Sequence, residues 1–331
     1  MTNRCRVVSQ ERDLYRIEGP QGEQPAVLRG RFRREARSMT DYPAVGDWVE
    51  AQAEPDGGVA VIERVLPRSS ALVRRAAGDP LTEQVIAANI DTVFVCMAPD
   101  IDFSLRRLER YLALIWQSGA TPVVLLTKSD CCDHPAELLA EARASCPGVD
   151  VLALCAPEDG GAPLRPYLGP GKTVAFVGSS GVGKSTLVNR LLGEDCLLTG
   201  DVQRGGRGRH TSTRRQLLHL PDGASLIDTP GMRELGLWDA DEGLNRAFAD
   251  IEALAAQCRF ASCTHGSEPG CAVRRAIESG ELDEERLLSF EKLRRETAYA
   301  ADSREYLAAK ERKFREISMI NKTNRRNGRK R

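Results

Sequence analysis

Thr173-Val-Ala-Phe-Val177 runs directly into Gly178-Ser-Ser-Gly-Val-Gly-Lys184-Ser185, and this junction decides the fold. Five apolar residues in succession read as a strand buried on both faces. The loop that follows has the spacing Gly-x4-Gly-Lys-Ser, and a helix begins at Lys184. A glycine-rich turn between a buried strand and a helix N-terminus is the context in which this motif binds phosphates. Its amide groups turn inward around the anion, and the helix dipole adds positive potential. The loop residues expected at the nucleotide are therefore Gly178, Ser179, Ser180, Gly181, Val182, Gly183, Lys184, Ser185 and Thr186. Lys184 would bridge the β- and γ-phosphates, and the Ser185 hydroxyl would ligate Mg²⁺.

Further buried runs lie on both sides of this junction. Asp91 to Met97, Pro122 to Leu126 and a strand at 149–154 precede it, with helices from Ser104 to about Ser118 and near 135–145 between them. Strands at 216–220 and 224–228 follow. Strands alternating with helices predict a mostly parallel, doubly wound α/β sheet. Asp228-Thr-Pro-Gly231 closes the last strand, where Asp228 reaches the metal through water and the Gly231 amide meets the γ-phosphate. Thr127-Lys128-Ser129-Asp130 ends a buried strand. Asp130 can accept from guanine N1 and its exocyclic amine together, and adenine offers no such donor pair. The stem of Lys128 would lie over the base. Cys155-Ala156 occupies the position of a backbone amide facing the guanine O6.

The order of these elements is unusual. Base-reading residues at 127–130 and 155–156 precede the phosphate loop at 178–185, whereas a standard GTPase runs the other way. Loops are placed by their strands, not by their rank along the chain, so the same site can be assembled. The sequence is that of a circular permutation.

Upstream, residues 14–18, 26–32, 47–53 and 59–65 alternate in polarity and are separated by Glu18-Gly-Pro-Gln-Gly and Pro55-Asp-Gly-Gly turns. Four or five short antiparallel strands predict a small closed barrel such as the OB-fold. Pro67-Arg-Ser-Ser reads as a linker. Beyond Trp238 strand signals stop. Asp241 to Gln257 reads as one helix and Asp283 to Glu316 as a long charged one, so the C-terminal part is mainly α-helical. Between them, Cys258-x4-Cys263-x-His265-x5-Cys271 gathers three thiols and an imidazole within fourteen residues. That donor set matches a closed tetrahedral structural zinc site. The domains expected are 1–70 (barrel, RNA-binding), 71–236 (permuted GTPase) and 237–331 (zinc-binding helices with a basic tail).

The 331-residue chain has 47 basic and 47 acidic residues, so bulk charge points to no polyanion. Its distribution does. Arg29, Arg31, Arg33, Arg34 and Arg37 cluster in the barrel, and Lys322 to Arg331 is basic without an acid. No apolar run is long enough to span a bilayer and no signal peptide is visible, so a cytoplasmic protein without membrane contact is expected. Ten cysteines then read as reduced thiols or metal ligands.

Taken together, Thr127-Lys-Ser-Asp130, the Gly178–Thr186 loop, Arg207-Gly-Arg-His-Thr-Ser-Thr213, Asp228-Thr-Pro-Gly231, the N-terminal barrel and the Cys/His cluster make the chain resemble the circularly permuted ribosome-small-subunit-dependent GTPases (RsgA). The resemblance covers nearly the whole chain. It implies an OB-fold, a permuted GTPase domain and a zinc domain. It also implies a monomer that binds GTP/GDP, the small ribosomal subunit and its rRNA, acts late in subunit maturation, and is stimulated by that particle. Three positions depart from the family pattern: Thr127 stands for Asn, Ser212 interrupts a run of threonines, and Cys155 replaces Ser. Met232 follows Asp228-Thr-Pro-Gly231, where many GTPases place a water-orienting Gln. A thioether cannot take that part, which predicts slow intrinsic turnover. His210 is the family's candidate for that task, and Thr211 or Thr213 would supply the switch hydroxyl on Mg²⁺. The alternative is a nucleotide-gated rRNA-binding module with negligible turnover.

Overall fold

A computed structural model describes residues 2–11, 14–52, 58–76, 79–99, 103–132, 134–155, 159–193, 215–228 and 241–298. The first five strands are β1 (Thr2–Glu11), β2 (Leu14–Gly19), β3 (Gly22–Leu28), β4 (Trp48–Gln52) and β5 (Ala60–Val65). They pair in the order β1-β2-β3-β5-β4, and β4 returns to β1 to close a barrel. Only β3 and β5 run parallel; every other pair is antiparallel. Val7, Tyr15, Ile17, Val49 and Ile62 fill its interior. β1 adds to the four segments expected from the sequence, and β3 stops at Leu28 because Phe32–Glu35 turns into a short helix, α1.

The α/β layer holds β8 (Thr92–Met97), β9 (Thr121–Thr127), β10 (Asp150–Leu154), β11 (Thr173–Val177), β12 (Arg215–His219) and β13 (Ser225–Asp228). In chain order, a hairpin of β6 (Ala71–Ala76) and β7 (Asp79–Ala88) comes between the barrel and this layer, and no sequence signal announces it. Spatial order is β10-β9-β8-β11-β13-β12, parallel except for β12. All of β8 and β11 is buried, as continuous apolar runs require. Helices α2 (Leu105–Ser118), α3 (Pro135–Ser145) and α4 (Lys184–Leu192) follow β8, β9 and β11. Gly119 ends α2 in the left-handed conformation.

β1 also pairs with β12 through Ser9↔Gln216 and Gln10↔Arg215, so barrel and α/β strands form one continuous sheet. The stretch expected to be a linker is a fixed joint. Arg68 makes a bidentate pair with the fully buried Asp47 (2.6 and 2.7 Å) and donates to the Thr40 and Tyr42 carbonyls. Ser70 Oγ bonds both the amide and the carbonyl of Ile90 at 2.7 Å.

At the C-terminal end are α5 (Asp241–Ala247), α6 (Ala249–Ala255), α7 (Ala272–Glu278) and α8, residues 284–298. The single helix expected over 241–257 is broken at Phe248. Its side chain is fully buried against Phe290, with ring centroids 5.3 Å apart, and its backbone leaves helical geometry to reach that seat. The part of the expected charged helix beyond 298, and the basic tail, lie outside the described residues.

Candidate functional site

Because β9, β10, β11 and β13 run parallel, their carboxyl ends share one edge of the sheet. Ligands of open α/β sheets bind outside that edge. Here the edge carries Thr127–Asp130, Cys155, the 178–185 loop and Asp228 in the spatial order that the permuted chain order conceals. Glycine is required where the loop leaves β11. Gly178 has φ +137°, and a Cβ there would lie 2.2 Å from the Cys96 carbonyl oxygen of β8. Gly181 and Gly183 are also left-handed, and Gly183 caps α4. The buried Val182 side chain pins the loop to the core beside Leu187 and Val188. Ser185 and Thr186 are half-buried in the first turn of α4.

Lys184 Nζ donates to the carbonyls of Gly178 (2.8 Å) and Ser179, so its ammonium spans the loop mouth. Asp228, at the end of β13, is within the electrostatic reach of that ammonium. Burial pushes the Asp228 carboxyl above its ordinary value, and Lys184 offsets part of the rise. A carboxylate held this way is disposed to gain a cation.

Thr127 occupies a different place from the one the sequence suggested. It is 2% exposed, and its hydroxyl donates to Val182 O (2.6 Å), with Met97 O 3.1 Å away. It braces the end of β9 to the phosphate loop across β8 rather than facing a base. A threonine thus bonds the loop backbone at the position where the family pattern has Asn. Lys128 takes a left-handed conformation (φ +55°) that turns the chain sharply and leaves Asp130 exposed at the sheet edge. The Cys155 amide donates to Asp159 Oδ2 at 2.7 Å, and the Cys155 carbonyl accepts from the Asp159 amide at 2.8 Å. Asp159 thus holds Cys155 at the end of β10, a role no sequence signal announced. Ala156, His210, Thr211, Thr213, Gly231 and Met232 lie outside the described residues.

The second constellation is a candidate metal centre. One ligand atom from each of Cys258, Cys263, His265 and Cys271 lies within 4.8 Å of all the others. Cys258 Sγ and Cys271 Sγ are 3.9 Å apart, and His265 Nδ1 is 3.7 and 3.6 Å from them. A tetrahedral metal with bonds of about 2.3 Å to sulfur has ligand–ligand edges of about 3.8 Å. The three edges among Cys258, His265 and Cys271 already have that length, and with Cys263 within 4.8 Å of each the cluster can hold a metal ion. Backbone N–H groups of Ala272 and Arg274 donate to the Cys258 and Cys271 sulfurs, respectively, 3.4 Å each. His265 is left-handed (φ +62°), and its carbonyl accepts from Arg274 Nε at 2.8 Å. Of the other described cysteines, Cys5, Cys96 and Cys146 are buried thiols of the core.

No helix among the described residues is long and apolar enough to cross a membrane.

The RsgA GTPase family model matches residues 65–238. A protein of Lactiplantibacillus plantarum named small ribosomal subunit biogenesis GTPase RsgA 2 is 50% identical over 297 residues, covering 89% of this chain and 83% of its own. One of Opitutus terrae named small ribosomal subunit biogenesis GTPase RsgA is 48% identical over 308 residues, covering 90% and 84%. Among solved structures, YjeQ from Thermotoga maritima aligns with a TM-score of 0.66 at 28% identity, covering 88% of this chain and 97% of that one. YloQ, described as a circularly permuted GTPase, aligns with a TM-score of 0.64 at 25% identity, covering 92% and 96%. With the inverted order of its site elements, the match over half the chain and relatives this similar along nearly all of it, the chain belongs to the RsgA GTPase family and is a circularly permuted GTP hydrolase.

Proposed function

We propose that this GTPase binds the small ribosomal subunit and hydrolyses GTP in response to it during late maturation of that particle. The names of the relatives support the ribosomal setting. The convergence of Thr127–Asp130, the 178–185 loop and Asp228 on one sheet edge is the observation that carries the nucleotide reading. Arg29, Arg34 and Arg37 on the barrel and the basic tail would meet rRNA phosphates, contacts that weaken with salt. Arg29 and Arg31 are each paired with a carboxylate, Glu63 and Glu35, which limits the free positive charge of that cluster. The working division is 1–70, 71–236 and 237–331, in a cytoplasmic monomer.

In the site, the loop amides and Lys184 bind the phosphates, with Lys184 moving from the Gly178 and Ser179 carbonyls to the anion. Asp130 selects guanine. Ser185, one of Thr211 and Thr213, and Asp228 would hold Mg²⁺. Bound Mg²⁺ would neutralise charge on the β- and γ-phosphates. Zinc is the metal whose preference for three thiolates and one imidazole suits the cluster, and four protein ligands leave it no open position for catalysis. Neutral His210 orients the attacking water, the task for which Met232 is unfit. His210→Ala should therefore keep GTP affinity and lose subunit-stimulated turnover. Unchanged stimulated turnover in that variant would remove His210 from the mechanism.

A further inference from the structure

Ser179 is gripped from two directions. Its carbonyl accepts from Lys184 Nζ, and its hydroxyl accepts from Arg107 Nη1 at 2.9 Å, a contact spanning 72 residues of chain. Arg107 stands on the first turn of α2, the helix that follows β8, and β8 lies beside β11, which delivers the loop. The two grips have different fates when a nucleotide enters. Lys184 is recruited by the β- and γ-phosphates, which releases the loop carbonyls it now holds. A hold on the Ser179 side chain survives that exchange.

The direction of Arg107 is fixed by the way α2 is packed. Leu108, Leu112 and Ile115 point into the core of the α/β layer. A second stripe at helical spacing meets the C-terminal helices. Glu109 is paired with Arg286 and Ser289, and Arg110 with Glu296. Gln117 Oε1 accepts from the Gly243 amide at 3.0 Å, and the Arg246 guanidinium lies 3.7 Å from the centre of the Trp116 ring. Gly243 sits so close to α2 that a Cβ would be 2.0 Å from the Ala113 carbonyl oxygen. With two faces engaged, α2 is not free to turn about its axis, so Arg107 is presented to the loop at a set place.

We propose that Arg107 is a positioning residue for the phosphate loop. Through the Ser179 hydroxyl it holds the first turn of the loop in the shape that aims the amides at the phosphates, and it does so from a helix placed by the C-terminal helices. The inference rests on Gly178–Ser185 being the phosphate-binding loop. A guanidinium is suited to the task because its charge persists at every working pH and its N–H groups are held in a rigid plane.

The test uses the full-length protein, with GDP and a non-hydrolysable GTP analogue titrated calorimetrically. Arg107→Ala and Ser179→Ala should each weaken both nucleotides about 3- to 10-fold, the scale of one partly exposed charge-assisted hydrogen bond. The double variant should be no weaker than the weaker single variant, and Arg107→Lys should recover part of the loss. Thermal midpoints of the nucleotide-free proteins should agree with that of the parent. Losses that multiply in the double variant, or parental affinity in Arg107→Ala, would overturn the proposal. Lys184→Ala separates it from the reading beneath it. Parental binding by Lys184→Ala would sink the loop assignment itself, whereas loss there with none in Arg107→Ala would sink only the role of Arg107.

Discussion

Arg286 of α8 is the side chain whose removal should most disturb the seat of the C-terminal helices. It is 9% exposed and donates five hydrogen bonds. Two go to Asp250 (2.7 and 2.8 Å), one to Glu109 (2.8 Å), and one each to the Ser145 (2.8 Å) and Ala247 (3.1 Å) carbonyls. It also lies 4.8 Å from the Phe248 ring centroid. The loss in Arg286→Ala is not the sum of these contacts. The Asp250 side chain is 32% exposed and can rehydrate; the Glu109 side chain, 4% exposed, cannot. Stranding one buried carboxylate costs about 3–5 kcal/mol, and that figure is the expected loss at pH 8. Arg286→Lys should lose about 2 kcal/mol, because an ammonium cannot reproduce the planar fork.

The pH dependence follows from Glu109. Burial pushes its carboxyl up, while Ser289 and Arg286 pull it back without cancelling the rise. Without Arg286 the rise grows. The folded protein then binds a proton that the unfolded chain does not. The excess loss in Arg286→Ala is full above the raised pKa and shrinks as pH falls through it. Urea denaturation of parent and variant at pH 8 and pH 6 measures this, and Glu109→Gln in the Arg286→Ala background should recover stability at pH 8. A loss below about 1 kcal/mol at pH 8, or one that grows on acidification, would show that Glu109 is not left as an unpaired buried carboxylate.

Three further outcomes are expected. Gly178→Ala places a Cβ against the Cys96 carbonyl at a left-handed φ, so nucleotide binding should be lost on calorimetric titration; retained affinity would mean that β8 yields at little cost. Thr127→Val removes the donor to Val182 O while keeping the shape, which should weaken GDP about 5- to 30-fold by leaving a buried carbonyl unpaired; an unchanged Kd would remove Thr127 from the bracing of the loop. Chelation should release one zinc per chain and abolish hydrogen-exchange protection around residues 258–278 while GDP affinity persists; metal-free protein with full protection there would show that the cluster folds without its ion.

Residues whose surroundings are set by their own neighbours were legible in the sequence. Thr173–Val177 and Thr92–Met97 are buried on both faces, so their apolar runs carry the signal without any knowledge of partners. The spacing of Cys258, Cys263, His265 and Cys271 likewise encodes a local knot. β1 escaped because its register slips between Val7 and Ser9, and the four consecutive buried positions Cys5 to Val8, Arg6 among them, erase the alternation that marks a barrel strand. Pro67–Ser70 looked like a linker because Arg68 finds Asp47 only in the fold. The break at Phe248 depends on Phe290, and the brace at Thr127 depends on a loop 55 residues away. Arg107 resembles any charged residue on the first turn of a surface helix until β8 and β11 are seen to be neighbours.

In the proposed function, a sheet edge assembled from permuted elements hydrolyses GTP under the control of a ribosomal particle. GTP turnover by the full chain, titrated with small subunits, large subunits and naked rRNA and compared with ATP, tests it most directly. Turnover should be slow for the protein alone, rise at least about tenfold (some 1.4 kcal/mol in barrier) and saturate with small subunits only, with no turnover of ATP. Equal stimulation by all three additions, or turnover that ignores them, would contradict it.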